Sequence, residues 1–273
     1  MNKLNKIFNL HFTDFCNFNC HCCYAKNDKK SLSMDEIKTI VNNIACYKEK
    51  HEIADMRINI AGGEPTTSKN LQEIIDYIFS KDIKASLITN GILLTKEFIS
   101  KNRGKLSMIG ISIDSINDKT NKILGRCERN QDRFFDYNQL VDICKCIKKC
   151  NITLKINIVA SKLNCNEDIK RLLNDVKPDR LKILQMLPTT PFAMQNALSE
   201  EEFNQYIKKY SGYNPVIERQ ENIEKAYLII DSMGYVTTNN LHSDKKHNAL
   251  NETFDEILKD IDFDFKSEEM RYK

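Results

Sequence analysis

Six short runs rich in aliphatic and β-branched residues recur along this chain, separated by segments of helical period: KIFNLHFT (6–13), MRINIAG (56–62), KASLITN (84–90), MIGISID (108–114), TLKINIVA (153–160) and RLKILQML (180–187). Nothing else in the sequence limits the fold as tightly. Strand–helix alternation repeated six times calls for a parallel sheet with right-handed crossovers, an α/β fold. Ser33 with Glu36 three residues on forms a capping box, and Ile37, Ile40, Val41 and Ile44 make one apolar stripe behind it. A second stripe is Leu71, Ile74, Ile75, Ile78 and Phe79. Further helices are expected over 95–102, 136–149, 166–175 and 200–210. Beyond residue 213 the alternation stops: AYLIID and YVTT read as a hairpin, and 251–261 as a short helix. We therefore expect a barrel-type unit over 1–212, with 213–273 as an extension packed on it in one structural unit.

The 273 residues carry a net charge of only +3, so no global field draws in nucleic acid or an anionic membrane. No stretch reaches the roughly 18 apolar residues of a membrane span, and the start lacks a signal-peptide core. A cytoplasmic location is the expectation. Ten cysteines in such a compartment point to metal, redox chemistry or packing before disulfides.

Four of those cysteines lie in CNFNCHCC, just past the first strand. Cys16, Cys20 and Cys23 have the spacing C-x3-C-x2-C. Three thiolates can hold three irons of a [4Fe–4S] cluster and leave the fourth iron for another ligand. Structural zinc usually takes four protein ligands in two spaced pairs; here Cys22 or His21 would have to complete the set from within the same tight loop. CKCIKKC (144–150) falls on or beside a helical apolar stripe, where cysteine packs as a small hydrophobe.

The alternation within strands assigns the interior of the barrel. Successive side chains face opposite ways, so with Ile58, Ile60, Ile156, Ile158, Leu181 and Ile183 toward the helices, Arg57, Asn59, Lys155, Asn157, Arg180 and Lys182 face the lumen. Ser112 and Asp114 join them from the fourth strand, and Asn9, His11 and Thr13 from the first. Barrel interiors are normally filled by branched aliphatics. Four cations there require an anionic partner. Bidentate arginine and point-charge lysine together suit phosphate oxygens, and a polyphosphorylated small molecule is the expected ligand.

The cysteine spacing together with AGGEP (61–65) after the second strand resembles the radical S-adenosylmethionine (SAM) superfamily. That resemblance implies a partial (βα)6, TIM-like barrel and two cofactors, a [4Fe–4S] cluster on Cys16, Cys20 and Cys23, and SAM. It places Gly62 and Gly63 where backbone approaches SAM, and Glu64 on SAM's amino group. Cys22 stands where an aromatic beside the adenine is usual, with Tyr24 the substitute. More specifically, NLHFTDFCNFNCHCC, RINIAGGEP, LITNG, ISIDS, ILGR, KINIV, RLKILQ, SEEEF and AYLIID, in that order, resemble the viperin family over roughly residues 6–235.

The viperin resemblance implies an enzyme that converts a nucleoside triphosphate, typically CTP, into its 3′-deoxy-3′,4′-didehydro form, a chain terminator in antiviral defence. By position it implies SAM contacts at Asn90, Ser112 and Arg126, and phosphate contacts at Arg57, Lys155, Arg180 and Lys182. Asn9 would read the base, with Asn59 and Asn157 in the same pocket, and Lys155 or Tyr227 would manage a proton. A flavodoxin- or ferredoxin-type electron donor is the implied partner, and no nucleic acid or membrane. Arg57 and Ala61 depart from the family's usual lysine and serine, and the Gly-Gly-Lys-Tyr tail is absent. A radical SAM enzyme acting on UTP, GTP or a peptide is the alternative.

Overall fold

The computed structural model describes residues 6–23, 29–129, 133–223, 227–238 and 246–263. Six parallel strands appear where expected, with ends shifted by no more than two residues: β1 (Ile7–Thr13), β2 (Arg57–Gly62), β3 (Lys84–Thr89), β4 (Leu106–Ser112), β5 (Thr153–Ala160) and β6 (Arg180–Gln185). The helices between them are α1 (Met34–Lys50), α2 (Leu71–Ser80), α3 (Lys96–Lys101), α4 (Asp118–Leu124), α5 (Tyr137–Lys149) and α6 (Lys170–Val176). After β6 come α7 (Pro191–Asn196), α8 (Glu200–Lys208), β7 (Val216–Glu218), α9 (Gln220–Ile223), β8 (Ile229–Ile230), β9 (Tyr235–Thr237), β10 (His247–Asn248) and α10 (Phe254–Asp260). The capping box forms as read: Ser33 Oγ accepts from Glu36 N–H, and the Glu36 carboxylate accepts from Ser33 N–H at 2.7 Å.

The strands make one open sheet in the order β10-β9-β8-β1-β2-β3-β4-β5-β6-β7. The segment from residue 213 onward supplies strands to both of its edges. β7 pairs in parallel with β6, and β8 pairs in parallel with β1. The β8–β9 hairpin is antiparallel, as AYLIID and YVTT suggested. The fold is thus α/β, a partial barrel whose ends do not meet.

Its outer layer is continuous. Phe8, Leu10, Phe12, Ile58, Ile60, Leu87, Ile109, Ile111, Ile156, Ile158, Leu181 and Ile183 are each at most 3% exposed and share one core with the helices. Cys144 belongs to that core, with Cys146 and Cys150 packed against it. Burying one face this completely fixes register, because a one-residue slip would turn the whole apolar set into the lumen. β4 ends two residues earlier than expected, at Ser112. Asp114 therefore lies in the loop beyond it, which changes what that carboxylate does.

Candidate active site

The cysteine loop leaves the C-terminal end of β1 and is held by two other segments. The first is residues 123–129. Leu124 O accepts from His21 N–H at 3.0 Å, Asn17 O accepts from Arg129 N–H at 3.0 Å, and Phe18 pairs with Glu128 as an isolated bridge. A methyl group on Gly125 would sit 2.1 Å from Asn19 O. The second segment is the turn after β2, where Thr13 O accepts from Gly63 N–H and Phe15 O accepts from Glu64 N–H, both at 2.7 Å. A Cβ on Gly62 would lie 2.5 Å from Thr13 O, and one on Gly63 2.1 Å from Phe15 O. Gly62 has φ +118°, a backbone conformation that side chains rarely adopt. Both glycines are thus required by this chain's own cysteine loop, before any ligand is considered.

Cys16, Cys20 and Cys23 carry free thiols on that loop. Burial pushes Cys16 up to about 11 and Cys20 up to about 12, so without a bound metal they stay protonated. Iron binding takes them as thiolates, and a cluster asks for one thiolate per iron. Among the described residues no three His, Cys, Asp or Glu side chains converge on a single ion. The donor set fits a [4Fe–4S] cluster. Cys22 points elsewhere: it packs against a small apolar cluster of Leu124, Met186 and Ala193. Tyr24 lies outside the described residues.

Beside the loop is a cavity of about 200 Å³ lined by Phe18, Asn90, Ser112, Ile113, Arg126 and Phe135 among others. All three side chains expected at SAM's ribose and carboxylate therefore share one space with apolar walls. Their polar groups are already braced. Arg126 Nη1 pairs with Asp114 at 3.0 Å, Nη2 donates to Ser112 O at 2.6 Å, and the side chain is 12% exposed. Asp114, 2% exposed, also accepts from Val159 N–H at 2.8 Å. Asn90 Nδ2 donates to Asn17 Oδ1 at 2.8 Å. Glu64 accepts from Thr66 N–H, Thr66 Oγ, Thr89 Oγ and Asn90 N–H, at 2.6–3.0 Å. Burial pushes its carboxyl up despite those donors. Glu64 thus ties β2, β3 and the first turn after β2 together, and only part of one oxygen remains for an ammonium group.

The lumen continues below this cavity. Asn9 Nδ2 donates to Leu228 O at 3.0 Å, Asn59 Nδ2 donates to Asn9 Oδ1 at 2.9 Å, and Ser86 Oγ donates to Asn59 Oδ1. This polar row crosses β1, β2 and β3 in register. His11 lies on the same face one step higher; burial lowers it to about 4, and the Asp231 charge opposes that. On the far wall Lys155 pairs in register with Arg180, and Asn157 with Lys182. Gly110 faces the Lys155 and Asn157 side chains, and a Cβ there would crowd Ile88 at 2.7 Å. Burial first, then Lys182, pushes Lys155 well below the usual lysine range; Arg180 and Arg57 act in the same sense. The four cations named from sequence thus converge across β2, β5 and β6. Asn157 Oδ1 is buried there without a hydrogen bond.

Tyr227 also reaches this wall, and with it a residue that the sequence reading did not name. Glu218 on β7 is 1% exposed and ion-pairs with Lys182. Tyr227 Oη donates to both Glu218 oxygens, at 2.6 Å to Oε2, and accepts from Lys182. The only cue was Glu218 sharing a face with Val216, opposite Ile217, in a three-residue strand. The lumen cations do not await an anion unaccompanied; one carboxylate already sits among them.

Residues 10–176 match the family model of the radical SAM superfamily. The S-adenosylmethionine-dependent nucleotide dehydratase of Flammeovirga pacifica is 35% identical over 86% of this chain and 84% of its own length. The chain is a radical SAM enzyme of the nucleotide dehydratase family. The dehydratase of Fibrobacter sp. strain UWH6 is 28% identical over all of this chain and 90% of its own. Among solved structures, native anSMEcpe with bound AdoMet superposes with a TM-score of 0.70 over 98% of this chain and 83% of its own, at 13% identity, a likeness of fold alone. The dehydratase uses a [4Fe–4S] cluster and SAM, as read from its cysteines and AGGEP. Among the described residues no helix is long and apolar enough to cross a membrane.

Proposed function

We propose that this dehydratase acts on a nucleoside triphosphate, CTP in preference, and releases the 3′-deoxy-3′,4′-didehydro nucleotide that terminates viral RNA chains. The observation that carries the substrate class is the convergence of Arg57, Lys155, Arg180 and Lys182 on one lumen wall, where burial and then the neighbouring cations push Lys155 well below the usual lysine range. Such a wall favours an anion of high charge beside it.

Cys16, Cys20 and Cys23 hold the cluster, and Asn90, Ser112 and Arg126 face SAM in the cavity beside it. Together the bound cofactors supply a 5′-deoxyadenosyl radical able to take hydrogen from C4′ of the sugar. The chain's part is placement. The lumen cations fix the triphosphate at the lower wall, which leaves the sugar facing upward toward the SAM cavity, an entropic contribution made before reaction. Asn9 and Asn59 stand opposite, in position for the base. Phosphate beside Lys155 favours the charged form of its Nζ, so that this group can protonate the leaving 3′-hydroxyl. Tyr227 Oη directs its own proton to Glu218, which favours Lys155 for that task. The donor of the electron is an acidic flavodoxin- or ferredoxin-type protein.

The test is anaerobic: reconstituted protein, SAM and dithionite with CTP, UTP, GTP or ATP in separate tubes, followed by mass spectrometry. A CTP-derived nucleotide lighter by one water supports the reading. The same product from another base alone removes the role given to Asn9. Formation of 5′-deoxyadenosine without any altered nucleotide overturns the substrate assignment.

A further inference from the structure

The lumen as a polyphosphate site leaves Glu218 unexplained, because a carboxylate beside a phosphate clamp weakens it. Its surroundings are unusually complete. Lys182 donates to Glu218 and to Tyr227 Oη, and Tyr227 Oη donates back to Glu218. Lys182 Nζ also lies 5.1 Å from the centre of the Tyr227 ring. Lys182 is 7% exposed and Glu218 1%. Around the pair stand Lys155 on β5, Arg180 on β6 and Arg57 on β2, and the Glu218 carboxylate touches Lys182 directly.

Burial and neighbouring cations disfavour the charged form of an ammonium, and a carboxylate in contact with it opposes them, as Glu218 does at Lys182. We propose that Glu218 is a positioning residue of this site: in the free protein it stands in for phosphate, holding Lys182 charged and the Tyr227 hydroxyl turned to β7, until a polyphosphate arrives. Glu218 then sets how many protons must enter with the substrate. Without it, one more proton has to enter, on Lys182. Glu218 touches two members of the site rather than the reacting atoms, so its effect passes through them.

The experiment measures KM for CTP in the reconstituted enzyme from pH 7.5 to 9, above the titration of the terminal phosphate. The proposal expects log KM for Glu218→Gln to climb more steeply than wild type, by about one extra unit per pH unit. Glu218→Asp, which keeps the charge, returns to the wild-type slope. A purely structural role predicts a KM raised by one factor at every pH, and parallel profiles overturn the proposal. Should Glu218→Gln not fold, the double variant Glu218→Gln/Lys182→Met decides. It removes both charges together and is expected to fold, with weaker CTP binding and the wild-type slope; its failure to fold also overturns the proposal. Titration of the wild-type protein with inorganic tripolyphosphate separates this from the reading beneath it. No binding there removes the polyphosphate site itself, and Glu218's role with it.

Discussion

The two halves of the lumen handle charge in opposite ways. At the cysteine end Arg126 is already matched by Asp114 and Ser112 O, and Glu64 by four donors. At the lower wall Arg57, Arg180 and Lys182 stand around Lys155, which is pushed well below the usual lysine range, and Glu218 pairs with Lys182. The upper half is finished by folding and waits only for cofactors. The lower half crowds like charges that a polyphosphate would relieve, so its stability and its function pull apart.

That contrast can be broken most severely at the loop. Cys16→Ala removes one of three cluster ligands, and 5′-deoxyadenosine formation in an anaerobic SAM-cleavage assay should disappear. If cleavage persisted, the cluster assignment would be wrong. Next come two substitutions with opposite signs. Asp114→Asn strands Arg126 without its carboxylate and should destabilise the protein by about 3–5 kcal/mol, read from denaturant unfolding. Lys155→Met removes a buried amine crowded by cations and should raise Tm by about 2–6 °C while weakening CTP binding about 10–100-fold. Equal and like-signed shifts in Tm would erase the distinction between the halves.

The smallest effect concerns His11. Its folded value, about 4, lies below the ordinary 6.5, so the unfolded chain binds the proton first. Stability present above pH 6.5 is therefore lost as pH falls from 6.5 toward 4, by up to about 3 kcal/mol. His11→Asn should flatten that part of the pH–stability curve relative to wild type.

Much of this was legible because strand alternation is local. Ile156 and Ile158 outside require Lys155 and Asn157 inside, whatever else the chain does, and the cysteine spacing needs no tertiary knowledge. What escaped depends on distant partners. Glu218 sits in a strand of three residues whose only support is β6. Asp114 reads as a lumen residue until β4 stops two residues early and Arg126 arrives from beyond α4. Gly62 and Gly63 were assigned to a ligand's approach, when the crowding atoms are Thr13 O and Phe15 O. Short helices such as α7, six residues long, carry too little periodicity to stand out.

The pairing of β1 with β8 has a consequence for how the protein is made. Asn9 reaches Leu228 O across 219 residues of sequence, and β1, which bears the cysteine loop, has an unpaired edge until that stretch has been synthesised. Through most of translation the iron-binding loop is therefore attached to an exposed strand edge. Iron delivered before Ile229 and Ile230 emerge would meet thiols on an unfinished wall, so cluster loading belongs after β8 has been made.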